Sequence, residues 1–204
     1  ITVHELSGYR KALLDFCIPV KLGREAIDVC GTGGDEKNTF NISTLSAIVL
    51  AASGIPVAKH GNYGSSSISG SSDILNHFGY KFKTTSDELN QQLDKYNICF
   101  MHAPLFHPAL KNVAKQRKEL GTRTFFNMLG PLVNPANVKH KYIGVYNLDI
   151  ARLYNYFLQQ NNCNYSLVHS LDGYDEVSLT ASFKHITQNG EKTIEPNTLG
   201  FDLL

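Results

Sequence analysis

The sequence predicts an α/β fold with a largely parallel central sheet flanked by helices. Two observations lead there. Apolar runs of strand length alternate with helical runs along most of the chain, and the loops that follow the strands are polar and glycine-rich. Right-handed crossovers gather such loops at one edge of the sheet, where open sheets usually bind ligands.

Taken in order, the first segment has Val3, Leu6, Tyr9, Leu13 and Phe16 at helical spacing and stops at Pro19 and Gly23. AIDVC (26–30) is a strand pattern running into Gly31. TLSAIVLAASG reads as a buried helix, started by Asn41, Ser43 or Thr44 and stopped by Gly54. IPVA is a second strand, KHGNYGSSSISGSS a polar loop, and DILNHFG a helix ending at Gly79. NICFMHA is a strand, APLF a loop, and HPALKNVAKQRKELG a helix. RTFFNMLGPLVNPAN reads as a loop with two prolines. KYIGVYN, YSLVHS and EVSLT are strands, DIARLYNYFLQQNN is a helix, and a hairpin turns at Asn189-Gly190.

Composition narrows the class. Hydrophobic residues make up 42% of the 204, enough for a packed core. A formal net charge of +1 argues against a generic nucleic-acid or membrane-surface protein. No apolar run has transmembrane length and no signal peptide is visible. The four cysteines, Cys17, Cys30, Cys99 and Cys163, show no metal-type spacing and read as thiols in a reducing cytoplasm. The chain opens at Ile1 rather than methionine, which reads as a fragment or a trimmed product.

The stretch GTGGDEKNTFNIST (31–44) is the first candidate site. A glycine turn feeding a helix start leaves N–H groups exposed beside the positive end of the helix dipole, which suits a phosphate. It is neither a GxGxxG fingerprint nor a P-loop, since no Gly-Lys-Ser/Thr follows. KHGNYGSSS repeats the arrangement, and two such loops suggest a ligand with two separated phosphate groups. Asp175-Glu176 would repel that ligand unless a hard cation stood between them, with the Ser43 hydroxyl as a further donor; such a pair alone also reads as solvated surface. Arg117 shares a helix with Lys111, Lys115 and Lys118, and one arginine turned inward would grip a carboxylate. His102 and His107 read as structural before catalytic, and Tyr142, Tyr146, Tyr154 and Tyr156 as packing residues.

Five blocks, in order, carry a resemblance: DVCGTGGD with TFNIST; KHGN with its serine run; SGSSD; FHPALKNVAKQRKELGTRTFFNMLGPLVNP; and HSLDGYDEVSLT. Together, over residues 26–202, they resemble the anthranilate phosphoribosyltransferases, a family related to the pyrimidine nucleoside phosphorylases. The resemblance implies transfer of the phosphoribosyl group of phosphoribosyl pyrophosphate to the amine of anthranilate, with Mg2+, in tryptophan biosynthesis. It implies a donor site of Gly31, Gly34, Asp35, Thr39, Asn41, Ile42, Ser43 and Thr44 in the first loop. Lys59, His60, Gly61, Asn62, Tyr63, Gly64, Ser65, Ser66, Ser67 and Ser71 would complete it from the second. Gly31, Asn62 and Arg117 would face anthranilate, with His60 and the Pro104 region on the acceptor's path, and Ser43, Asp175 and Glu176 would meet magnesium. No general acid or base is implied.

The resemblance also implies a cytoplasmic homodimer, with no nucleic-acid or membrane partner. Residues 1–22 would be a remnant of a smaller N-terminal helical domain, and 23–204 the phosphoribosyltransferase α/β domain, cut short at its C-terminus. One departure stands out. Tyr63-Gly64 follow KHGN where the family usually has arginine, which removes a positive charge from the second loop. Three other readings stay open: a nucleoside phosphorylase, disfavoured because Val29-Cys30 precede Gly31; a nucleic-acid-binding relative, which would be more basic; and an interaction scaffold.

Overall fold

Strand β1 (Ile27–Gly31) lies near the middle of the sheet, and the chain is laid out from it in two directions. The computed structural model describes residues 1–64, 69–120 and 124–204; the side chains at 114, 115, 117, 118 and 120 also lie outside the description. From β1 the chain steps to β2 (Val57–Gly61) and β3 (Ile98–His102) on one side. It then returns across β1 to β4 (His140–Gly144) and β5 (Asn164–Ser170). All these neighbours pair in parallel. The hairpin of β6 (Phe183–Thr187) and β7 (Gly190–Ile194) adds two antiparallel strands. The order of the described sheet is thus β3-β2-β1-β4-β5-β6-β7, and strand order reverses beside β1, where a crevice opens at the carboxyl ends.

The crossovers carry the helices. Helix α1 (Val3–Asp15) precedes the sheet, α2 (Ile42–Ala52) joins β1 to β2, and α3 (Ser71–His77) and α4 (Ser86–Tyr96) join β2 to β3. The one-turn α5 (Ala103–Phe106), α6 (Lys111–Leu120) and the one-turn α7 (Phe126–Leu129) lead to β4, and α8 (Leu148–Gln159) leads to β5. Alternation along the strands decides what each helix covers. Ile27 and Val57, paired in register, meet Ala47 and Ala51 of α2. Ala58, Cys99 and Met101 meet Leu89 and Leu93 of α4. Ile143 and Leu167 meet α8, whose Ile150, Tyr154, Phe157 and Leu158 share one buried stripe with Leu6 of α1. Tyr154 donates its hydroxyl to the Met128 carbonyl and so ties α7 to α8. Helix α2 is mostly apolar beyond its first turn, and its outer stripe of Leu45 (50% exposed), Ile48 (46%) and Val49 (56%) is open.

Several local expectations are corrected. The stretch before β3 holds α4, which the pattern reading missed. Thr85 caps it by accepting from the Glu88 N–H, the Glu88 carboxylate takes the Thr85 hydroxyl, and Asn97 closes it in the left-handed region at φ 55°. Lys59 and His60 belong to β2, not to the loop after it. APLF forms α5, and part of the expected proline loop winds into α7 and a short 3-10 turn at Gly130–Leu132. EVSLT (176–180) is not a strand. The Ser170 hydroxyl donates to the Glu176 carbonyl at 2.6 Å and accepts from the Ser178 N–H at 2.8 Å, so side chains occupy the groups a ladder would need. The hairpin turn falls at Gln188 and Asn189, with Gly190 opening β7. Helix α2 starts at Asn41, but that side chain makes no cap and turns toward Ser69 Oγ, 3.4 Å away.

Candidate active site

A cavity of about 270 Å³ opens at the carboxyl ends of β1 and β2. Three segments far apart in sequence meet there: residues 30–43, residues 59–64 with 69–71, and the pair Asp175 and Glu176. The first segment can wind so tightly because Gly33 (φ 63°) and Gly34 (φ 84°) take left-handed backbone.

Asp175 is seated by the absence of side chains. Gly31 and Gly144 end the neighbouring strands β1 and β4 in register. A Cβ on Gly31 would lie 2.7 Å from Asp175 Oδ2, and one on Gly144 would occupy the place of the Asp175 carbonyl oxygen. In that seat Asp175 Oδ2 accepts the Gly33 N–H at 2.7 Å, and the Asp175 N–H reaches Asp35 Oδ2 at 3.4 Å. Burial, reinforced by Asp35, pushes the Asp175 carboxyl above its ordinary range. Burial also pushes Glu176 up to about 8, helped by Asp175 and Asp35 and opposed by Lys59. Glu176 Oε2 is buried with no hydrogen-bond partner. Crowded carboxylates of this kind favour either protonation or a bound cation.

Adjacent residues of β2 serve opposite faces of the sheet. Lys59 is buried, and its Nζ donates to the Val29 carbonyl at 2.5 Å and to Ser43 Oγ at 3.2 Å, below the first loop. His60 points the other way. Its ring lies 3.2 Å from the Gly130 carbonyl through Nδ1, and a carbonyl only accepts, so Nδ1 carries the hydrogen. Nε2 is left a bare acceptor, buried without a partner. Burial, with His107 beside it, depresses the His60 imidazole to about 3. Beneath it, Asp28 accepts the His60 N–H at 3.1 Å and the Asn134 amide at 2.9 Å, and that amide also donates to the Ala58 carbonyl at 2.9 Å. Burial raises the Asp28 carboxyl against the pull of Lys141 and Lys59, and burial lowers Lys141 against the pull of Asp28.

Most predicted residues line this cavity: Gly31, Gly34, Asp35, Thr39, Asn41, Ile42, Ser43, Lys59, His60, Gly61, Asn62, Tyr63, Gly64, Ser71, Asp175 and Glu176. Thr44 does not; it is buried behind the first turn of α2 with its hydroxyl unpartnered. Ser65, Ser66 and Ser67 lie outside the described residues, as does the Arg117 side chain, whose backbone belongs to α6. Ala103 lines the cavity but Pro104 does not. His102 and His107 are buried in hydrogen bonds, to Ser72 Oγ and the Val133 carbonyl, each at 2.8 Å. Pattern reading missed Gly144, which seats Asp175, and Asn134, which braces the strands under His60. Among the described residues no three His, Cys, Asp or Glu side chains form a complete metal cage, and no helix is long and apolar enough to cross a membrane.

Comparison with known proteins agrees with this geometry. Residues 23–201 match the model of the glycosyl transferase family, a/b domain. The chain is 55% identical over 205 residues to anthranilate phosphoribosyltransferase of Flavobacterium psychrophilum, covering 100% of this chain and 62% of that relative. It is 55% identical over 201 residues to the same enzyme of Cytophaga hutchinsonii, covering 98% and 61%. The chain therefore spans under two thirds of these curated relatives. The crystal structure of the Thermus thermophilus anthranilate phosphoribosyltransferase superposes with a TM-score of 0.90 at 34% identity, covering 100% of this chain and 62% of that one. The Saccharomyces cerevisiae enzyme, in complex with phosphoribosyl pyrophosphate and Mg, superposes with a TM-score of 0.90 at 31% identity, covering 100% and 58%. With the family match running through both cavity loops and the acidic pair, the chain belongs to the glycosyl transferase family defined by that a/b domain.

Proposed function

We propose that this chain holds the substrate site of an anthranilate phosphoribosyltransferase, which joins the phosphoribosyl group of phosphoribosyl pyrophosphate to the amine of anthranilate and releases pyrophosphate. The convergence of both glycine loops and the Asp175–Glu176 pair on one cavity carries the reading. The relatives bearing that name support it, as do the yeast structures with the donor and Mg and with 4-fluoroanthranilate.

The residues present suit magnesium. Asp175, Glu176 and the Ser43 hydroxyl border the cavity, and magnesium typically takes one or two carboxylates and leaves its other positions to phosphate and water, so a complete protein cage is not required. When bound, the ion would neutralise charge building on the departing pyrophosphate. The transition state has oxocarbenium character, so leaving-group charge is the main electrostatic demand. Lys59 supports this side by fixing Ser43 from below. On the other side, His60 borders the cavity with its Nε2 shielded and unpartnered, which supports a part in shaping the acceptor's path. An imidazole held near 3 is a weak base, so it is not the group that takes the amine's proton. The amine already has a free lone pair, and holding it close to the anomeric carbon is the remaining task.

Residues 1–22 are read as part of a helical region that makes a homodimer in the full-length protein; exposed Phe16 and Ile18 beside α1 support a contact there. A cytoplasmic setting without a nucleic-acid partner fits the near-neutral charge. The full-length protein, mixed with anthranilate, phosphoribosyl pyrophosphate and magnesium, should consume anthranilate fluorescence. Persistent fluorescence with all three present would remove the assignment.

A further inference from the structure

We propose that Asp73 is a positioning residue for the pyrophosphate donor, acting by clamping the neck of the second loop; this rests on the phosphoribosyl-transfer reading. Asp73 stands in the first turn of α3. One carboxylate oxygen, Oδ2, accepts two backbone N–H groups from opposite arms of the loop: Gly64 at 2.8 Å and Gly70 at 2.7 Å. The Gly70 bond is an ordinary helix-start contact, three residues away. The Gly64 bond is not, since it reaches back nine residues to the outgoing arm.

The surrounding contacts fit a clamp. The Asn62 carbonyl accepts from the Ser72 N–H at 3.1 Å, so the arms are stitched one step further in. Gly70 is closed in by Asn62 and Tyr63, whose backbone atoms lie about 2.5 Å from where its Cβ would be. Tyr63, standing where arginine is usual, makes a T-shaped contact with the His102 ring, 4.7 Å between centroids, and takes a hydrogen bond from Asn76 of α3 at 3.1 Å. Packing and the Asp73 carboxylate therefore hold this neck. The amides of Gly64 and Gly70 are engaged by Asp73, so the clamp acts on the ligand through the described groups it holds at the cavity, Asn62, Ser69 and Ser71.

The test uses Asp73→Ala and Asp73→Asn in the full-length protein. Amide hydrogen exchange should show residues 64 and 70 protected in the wild type and fast in Asp73→Ala. The Michaelis constant for phosphoribosyl pyrophosphate should rise about tenfold in Asp73→Ala, as loss of hydrogen bonds to a charged group would give. The anthranilate constant and kcat should move little. Asp73→Asn keeps an acceptor oxygen and should recover most of the donor constant. Equal exchange at both amides in wild type and Asp73→Ala overturns the clamp, as does an unchanged donor constant. A uniform fall in kcat with both constants unmoved, unrelieved by Asp73→Asn, reduces Asp73 to a fold-stabilising cap and overturns the proposal. A wild type that shows the exchange pattern but never turns over keeps the clamp and sinks the transferase reading and the donor role with it.

Discussion

The carbonyl oxygen of Asp175 occupies the volume that a Cβ on Gly144 would fill. Gly144 ends β4 and pairs in register with Gly31 of β1, so two bare Cα atoms side by side make the seat for one acidic residue. Gly144→Ala must displace the Asp175 backbone from this seat. A misplacement near 1 Å costs on the order of 10²-fold in rate, and turnover of the full-length enzyme should fall by roughly that much while its thermal unfolding remains cooperative. Steady-state kinetics beside a melting curve checks this.

Replacing Asp175 and Glu176 together by alanine should abolish magnesium-dependent turnover. A magnesium titration of the double variant measures it, and near-wild-type rates would take the pair out of the mechanism.

Arg117→Ala should chiefly raise the Michaelis constant for anthranilate. A charge-assisted hydrogen bond contributes about 1.5–3 kcal/mol, which corresponds to roughly a ten- to hundredfold change. If only the donor's constant rises, the arginine belongs to the other substrate.

His60 gives a pH signature. Its imidazole is held near 3 by burial and by His107, below the ordinary value of 6.5. A depressed folded-state value means the stabilising contribution is complete above the unfolded value and is lost as pH falls from 6.5 toward 3. Over that window unfolding takes up this proton, with a limiting slope of about 1.4 kcal/mol per pH unit. Denaturant midpoints measured from pH 7 to pH 4 should fall less steeply for His60→Gln than for the wild type. Identical slopes would place the His60 ring in water.

The alternation of strand and helix was plain in the residues because apolar periodicity marks each element, and both glycine loops announced themselves by composition. What stayed hidden has identifiable causes. Helix α4 buries only Leu89 and Leu93, too thin a stripe to register; the Thr85–Glu88 capping pair was the available signal. EVSLT alternates like a strand, yet the Ser170 hydroxyl claims its backbone. Lys59 looks like a loop cation for phosphate, but strand pairing turns it inward to Val29 and Ser43. Gly144 sits in an apolar run with nothing to distinguish it, and its purpose emerges only when Asp175 arrives from a distant segment.

The open stripe of Leu45, Ile48 and Val49 on α2 bears on how this polypeptide can be handled. Bare oily residues at consecutive helical turns are adhesive in water. Concentrated samples of these 204 residues by themselves should clump and light up an apolar dye, and glutamates introduced at 45 and 49 should keep them dispersed.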